Sequence, residues 1–163
     1  MKVLLSIKPE FVEEIIAGRK KFEYRKKLFK QSVDSVVIYA SKPMGLIIGE
    51  FTIDTILVET PHDLWTKTKR YSGITKQFFS KYFNGKERGY AIKIKKFFQY
   101  TDPINPFDMI EDFVAPQSFR YVSEEIGECL QNCAFCDDSA YTSEDVTGVQ
   151  TMLSHRFNRA FSG

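Results

Sequence analysis

Three ionisable side chains close together, Lys20, Glu23 and Arg25, are the part of this sequence best equipped for chemistry. Glu23 and Arg25 are two apart, so on a strand they share one face. A carboxylate in that place can orient a guanidinium toward a phosphate or a base edge. Taken alone, the pair reads first as a salt bridge at the rim of the core that closes the fold. A lysine works as a nucleophile or base only when burial or a neighbouring cation lowers its pKa. Glu23 beside Lys20 favours the charged ammonium, which points to binding rather than catalysis. Were the protein an enzyme, Lys20 and Glu23 would be its catalytic candidates, with Glu50 as a further acid.

A second constellation lies near the C-terminus, Cys129-x-x-x-Cys133-x-Phe135-Cys136. The spacing is that of a radical-SAM iron–sulfur loop. Only 27 residues follow Cys136, too few for the partial barrel which that chemistry needs. Zinc is the alternative, with Cys129, Cys133, Cys136 and either His155 or Asp137 as ligands. Paired Cys-x-x-Cys halves are missing, so reduced cysteines on a tail helix are the preferred reading, and no metal or cofactor is expected. His62 follows Pro61 at a loop or helix start, where nothing supports it as a base. Trp65 sits at helical spacing and is expected to pack.

The elements that must position the Lys20–Arg25 group follow from hydrophobic period and turn residues. Lys2–Ile7 reads as a strand. Pro9 suits a first helical turn, Glu10, Glu13 and Glu14 favour its N-terminal end, and Gly18 stops it. Lys20–Arg25 alternates as a strand. Asp34–Ala40 is a strand, and Leu46–Val58 is a long one bent near Gly49. Pro61–Lys69 and Thr75–Phe83 read as helices, Gly89–Phe98 as a strand and Asp102–Phe107, with its two prolines, as a loop. Pro116–Val122 is a last strand or extended segment. Glu124–Leu130 and Val149–Phe161 are expected as helices outside the main body. About five strands with helices between them predict an α+β fold built on a small mixed β-barrel with peripheral helices.

The chain has 163 residues, enough for one domain plus an appendage. Residues 1–122 carry 21 Lys and Arg against 14 Asp and Glu, and residues 123–163 carry 2 against 7. The first part is therefore +7 and the second −5, dividing the chain into a basic domain and an acidic C-terminal extension. A basic body suits a polyanionic partner, with a solvated basic face as the plain alternative. Aromatic residues make up 15%, either as core filling or as stacking surfaces for bases. No apolar run approaches a membrane span and no signal peptide is evident, so a cytoplasmic protein is expected.

The stretch Gly18-Arg-Lys-Lys-Phe-Glu-Tyr-Arg25 fits a Gly-x-Lys-x-x-Glu-x-Arg pattern and resembles the ASCH domain family. Leu5-Ser6-Ile7-Lys8-Pro9, Tyr39-Ala40-Ser41-x-Pro43, Ile48-Gly49-Glu50-Phe51, Tyr71-Ser72-Gly73-Ile74, Arg88-Gly89-Tyr90-Ala91-Ile92 and Pro116-Gln117-Ser118-Phe119 resemble a bacterial, archaeal and phage branch of it. The resemblance runs from Met1 to about Val122. It implies a PUA-like barrel whose basic cleft takes RNA or a nucleotide. From the matching segments, Ser6, Lys8, Lys20, Arg25, Tyr39, Ser41, Gln117 and Ser118 are the binding candidates, with Tyr39 as a stacking ring or a barrel plug. The resemblance also implies an enzymatic alternative, a hydrolase on a modified nucleoside (N4-acetylcytidine amidohydrolase-like) or a metal-assisted ribonuclease. In the amidohydrolases the motif lysine works with a threonine and a distant glutamate. Here Lys20 matches the lysine, Glu23 stands at the threonine's place, and Tyr71-Ser72-Gly73 stands where the acid should be.

Overall fold

The computed structural model of the protein describes residues 1–133. Its strands are β1 (Lys2–Ile7), β2 (Phe22–Arg25), β3 (Ser35–Ala40), β4 (Leu46–Glu59), β5 (Gly89–Ile104) and β6 (Phe119–Tyr121). Its helices are α1 (Pro9–Ile16), α2 (Pro61–Thr68), α3 (Lys76–Tyr82), α4 (Pro106–Met109) and α5 (Glu124–Cys133), with a 3-10 turn at Lys69–Tyr71. The strands form one mixed sheet, ordered β2-β5-β4-β3-β1-β6 and curled into a half-barrel. β1 and β3 run parallel, and every other neighbouring pair is antiparallel. β2 and β6 are thus the two edges of an open sheet.

Local chemistry accounts for the helix ends near the motif. Pro9 occupies the first turn of α1, and Val12 and Ile15 bury its inner face. Gly18 follows at φ +70°, a left-handed conformation that glycine takes without strain. The amides of Arg19 and Lys20 both donate to the Glu14 carbonyl, 3.0 and 2.9 Å away, which turns the chain back toward β2. Thr60 and Thr75 cap α2 and α3 by accepting from the amides of Asp63 and Phe78.

The core has three parts. Val3, Leu5 and Ile7 of β1 meet Val36, Ile38 and Ala40 of β3, Phe51 of β4 and Val12 and Ile15 of α1 in the first. The intervening Leu4, Val37 and Tyr39 join Ile47, Tyr100, Phe113 and Leu130 in the second. All six residues of β3 are therefore buried, which is why it reads as a continuous apolar run rather than an alternation. In the third, Tyr24 of β2 and Ala91 of β5 lie under Leu64 of α2 and Phe79 and Phe83 at α3. Trp65 packs against Phe79 at 5.0 Å, as expected of a packing residue.

One open expectation is resolved and two change. Pro116–Val122 does contain a strand, the sixth, paired antiparallel with β1. Asp102–Phe107 is not a loop: β5 runs to Ile104, and Pro106 opens the short helix α4. Proline is tolerated because pairing with β4 jumps from Gln99 to Ile104, leaving Pro103 inside a register shift where no ladder donor is needed. The helix at Glu124–Leu130 also forms, but it is not outside the body, since Leu130 is 1% exposed and Ile126 packs on the second cluster. The helix expected at Val149–Phe161 lies outside the described residues.

The bend in β4 falls at Gly49, where the register to both β3 and β5 shifts. A Cβ on Gly49 would run into the Phe98 carbonyl and approach Gln99 Cα to 3.1 Å. The obstacle is backbone, which cannot swing aside. Gly49→Ala should therefore destabilise the fold by about 1–3 kcal/mol, measured as a lowered urea midpoint. An unchanged midpoint would show that the bend is not set by this close approach.

Candidate functional site

β2 is only four residues long and pairs along one side, with Tyr90–Lys93 of β5. Its alternation divides the motif between two environments. Tyr24 points into the third cluster, its hydroxyl 2.6 Å from Thr68 Oγ1. Burial pushes that phenol up to about 12. Glu23 and Arg25 lie on the other face of the strand and are nonetheless buried, at 6% and 9% exposure.

Arg25 crosses the open side of the half-barrel. Its Nη2 donates to the Ser6 carbonyl of β1 at 3.2 Å and to the Ser118 carbonyl, next to β6, at 3.1 Å. Ser6 Oγ donates to the Pro116 carbonyl at 2.6 Å. One edge strand is thus tied to the end of β1 and the approach to the other edge. Glu23 holds the arginine from behind, with Oε1 3.6 Å from Arg25 Nε. That Nε is buried without a hydrogen bond, so its charge is balanced by Glu23 alone at longer range. The salt bridge that closes the barrel is present, then, but it lies inside the seam.

Glu23 faces a second cation. Its Oε2 is 3.6 Å from Lys20 Nζ, and the Lys20 side chain is 1% exposed. The ammonium donates to the Ser72 carbonyl at 3.0 Å. It also sits 4.8 Å from the centroid of Tyr24 and 5.5 Å from that of Phe11. Gly73, at φ +60°, closes over the lysine stem, and a Cβ there would collide with Lys20 Cβ and Cγ. The Tyr71-Ser72-Gly73 segment thus presents a carbonyl and a glycine to the lysine. Desolvation pushes the Lys20 pKa below the ordinary lysine range, Glu23 opposes the shift, and Arg25 adds to it. The expectation that Glu23 would decide this pKa is therefore corrected, because burial outweighs the ion pair.

The remaining candidates divide clearly. Lys8, exposed, follows β1 two residues after Ser6. Ser41 is adjacent, its amide bonded to the Ile7 carbonyl. Gln117 is exposed beside Ser118. Ser6, Lys8, Arg25, Ser41, Gln117 and Ser118 thus gather around the seam, with Glu23 and Lys20 beneath it. Tyr39 is a correction. It is 1% exposed, edge-on to Phe113 at 5.5 Å in the second cluster, and both faces of its strand are covered. It is a plug, and its ring is closed to a ligand. Glu50 is occupied elsewhere, accepting from Lys2 Nζ at 2.6 Å and from Tyr100 at 3.3 Å. Cys129 is exposed and free. The Cys133 side chain, Cys136 and His155 lie outside the described residues, and among the described ones no three metal-ligating side chains gather.

Residues of α3 also reach the seam. Tyr82 donates to the Tyr24 carbonyl at 3.3 Å. Burial raises its phenol pKa, while the charge of Arg25 pulls the other way. Phe78 lies one turn earlier, with its ring parallel to that of Tyr82. Their i, i+4 spacing on a predicted helix was the available signal. Beyond α1, an open recess of about 360 Å³ is lined by Lys20, Lys21, Lys93, Lys95 and Asp54, with Lys93 paired to Asp54 at 2.6 Å.

A family model described as the ASCH domain matches residues 5–98. A protein of Zymomonas mobilis named ASCH domain-containing ribonuclease is 27% identical over 128 residues, covering 76% of this chain and 86% of that protein. The large ribosomal subunit protein uL22 of Ureaplasma parvum is 26% identical over 89 residues, covering 53% of this chain and 28% of that protein. In structure, the crystal structure of ASCH from Zymomonas mobilis aligns with a TM-score of 0.76 at 24% identity, covering 82% of this chain and 95% of that one. The structural likeness is one of fold.

The buried row of two cations and one anion makes its members unequal. Glu23→Gln leaves Lys20 and Arg25 facing each other and should cost about 3–5 kcal/mol. Lys20→Met leaves the Glu23–Arg25 pair intact and frees one carbonyl, so about 1 kcal/mol is expected. Denaturation curves that reverse this order would refute the row. The pH dependence follows from the lowered Lys20 pKa. The unfolded chain holds this proton up to the ordinary value of 10.5, and the folded chain loses it earlier. Stability therefore rises with pH through that window. Wild type should gain on Lys20→Met between neutral pH and about 10 in urea midpoints taken at each pH.

Proposed function

The chain belongs to the ASCH domain family, and from that membership and the seam geometry we propose that it recognises single-stranded RNA where Arg25 joins the two edges of the half-barrel. The observation that carries this is a guanidinium held in place by a buried carboxylate and two carbonyls, with exposed lysines nearby. Lys8 follows β1 on one side and Lys26 follows Arg25 on the other. Fixed donors with mobile cations beside them suit a phosphodiester, because the lysines can track the backbone while the serines and Gln117 supply hydrogen bonds to bases or sugars. The net charge of +7 over residues 1–122 adds long-range attraction for a polyanion. The relative from Zymomonas mobilis that is named a ribonuclease supports RNA as the polymer.

A second reading, RNA cleavage, draws on the same relative and on the lowered pKa of Lys20. A lysine that gives up its proton more readily can serve as a base. This one is enclosed by Ser72, Tyr24 and Phe11, so cleavage requires the Tyr71–Gly73 segment to lift from it. Recognition requires no such movement and is the reading preferred here.

Fluorescence anisotropy with a labelled single-stranded RNA across a salt series tests recognition. Affinity should fall with salt, and Lys8→Ala and Lys26→Ala should each weaken binding and reduce the log–log salt slope by about 0.7. Absence of binding at low salt would sink the proposal. Gel analysis of the same RNA, with and without a chelator, tests the second reading. Product formed by wild type and lost in folded Lys20→Met would put cleavage ahead of simple recognition.

A further inference from the structure

Among the described residues the seam presents cations, carbonyls and hydroxyls, and Tyr39, the ring expected to stack a base, is a core residue. Rings of another element fill that need. Phe78 and Tyr82 are half-buried on one side of α3. Their planes lie within 11° of each other and their centroids 6.4 Å apart. Phe11 props Phe78 edge-on at 5.0 Å, and Phe83 props Tyr82 edge-on at 4.9 Å. Two nearly parallel rings, each braced at its edge, form a rigid aromatic surface.

Cations stand over these rings. Lys8 Nζ is 5.2 Å from the Phe78 centroid, and Lys26 Nζ is 4.7 Å from that of Tyr82. These lysines are the exposed cations that flank Arg25. The side chain of Lys8 is 58% exposed, with Glu10 3.9 Å away. Tyr82 also feels the charge of Arg25. The aromatic surface and the cationic seam are therefore one continuous region, joined at both ends.

We propose that Phe78 and Tyr82 form a stacking platform for bases of single-stranded RNA, with Lys8 and Lys26 leaving the ring faces to neutralise the flanking phosphates. This deepens the reading above and rests on it. The exchange is favourable on magnitude. An exposed lysine over a ring contributes about a two- to fivefold preference. A stacked base contributes about five- to a hundredfold. The displaced ammonium is not wasted, since a phosphate lies within a nucleotide of each stacked base. Unstructured, unpaired bases are the occupants that fit, because a duplex offers no free base faces along its length.

The test compares a short single-stranded RNA with the same backbone made abasic at successive positions, both by competition anisotropy on wild type and on Phe78→Leu. Leucine retains most of the packing against Phe11 but cannot stack. Wild type should prefer the base-bearing strand by about five- to a hundredfold at the stacked positions. Phe78→Leu should lose most of that preference while keeping the abasic affinity and its salt slope. Equal wild-type affinity for both strands, with normal salt dependence, would overturn the platform and leave RNA recognition standing. No wild-type affinity for either strand would overturn both. Should Phe78→Leu not fold, the wild-type comparison alone decides.

Discussion

The guanidinium of Arg25 ties together the two ends of a sheet that does not close on itself. β2 and β6 are edges, and six strands in this order leave a gap that main-chain pairing cannot fill. Arg25 spans it by donating to carbonyls at the end of β1 and beside β6. Both bonds leave one nitrogen, Nη2, through its two hydrogens, while the Nε side of the guanidinium faces Glu23. Burying that charge demands Glu23. Glu23, flanked by two cations, in turn keeps Lys20 from being an isolated buried charge. The motif Gly18–Arg25 thus reads as one electrostatic unit, in which each member makes the next tolerable.

The same unit sets what the site can do. Arg25 is tied to the scaffold through two carbonyls and Glu23 lies between two cations, so both are held before any ligand arrives. Binding strength in such a site comes from groups that are still free to move, here the exposed lysines on either side. Lys20 is a different case. Desolvation lowers its pKa, and its enclosure by Ser72, Gly73, Tyr24 and Phe11 withholds access. A glycine at 73 lets the segment press down on the lysine stem, where any Cβ would collide with it.

The aromatic content is divided by the fold into two roles. Tyr24, Phe79 and Phe83 lock α3 onto the sheet through edge-to-face contacts, and Leu64 of α2 packs into the same cluster. Phe78 and Tyr82, on the same short helix, turn toward the cationic seam. One helix therefore both braces β2 and walls the seam, so the stability of the third cluster bears on the seam's geometry.

Sequence periodicity determined the strands β1 to β5 to within a few residues, apart from the C-terminal end of β5, and it placed Glu23 and Arg25 on one face opposite Tyr24. Gly18 announced the end of α1, and the spacing of the motif announced its family. These are local properties, set by backbone sterics and by the repeat of the element. What stands opposite each face was not legible. Lys20 meets Ser72 across 52 residues and Arg25 meets Ser118 across 93, and nothing in the spacing of either residue encodes such a partner. Tertiary packing buried Tyr39 on both sides and drew α5 onto the core through Leu130, and the register shift against β4 let β5 run past Pro103. Packing also decided the protonation tendency of Lys20, because a neighbouring charge can be read from sequence, while desolvation depends on everything that the fold brings to cover the group.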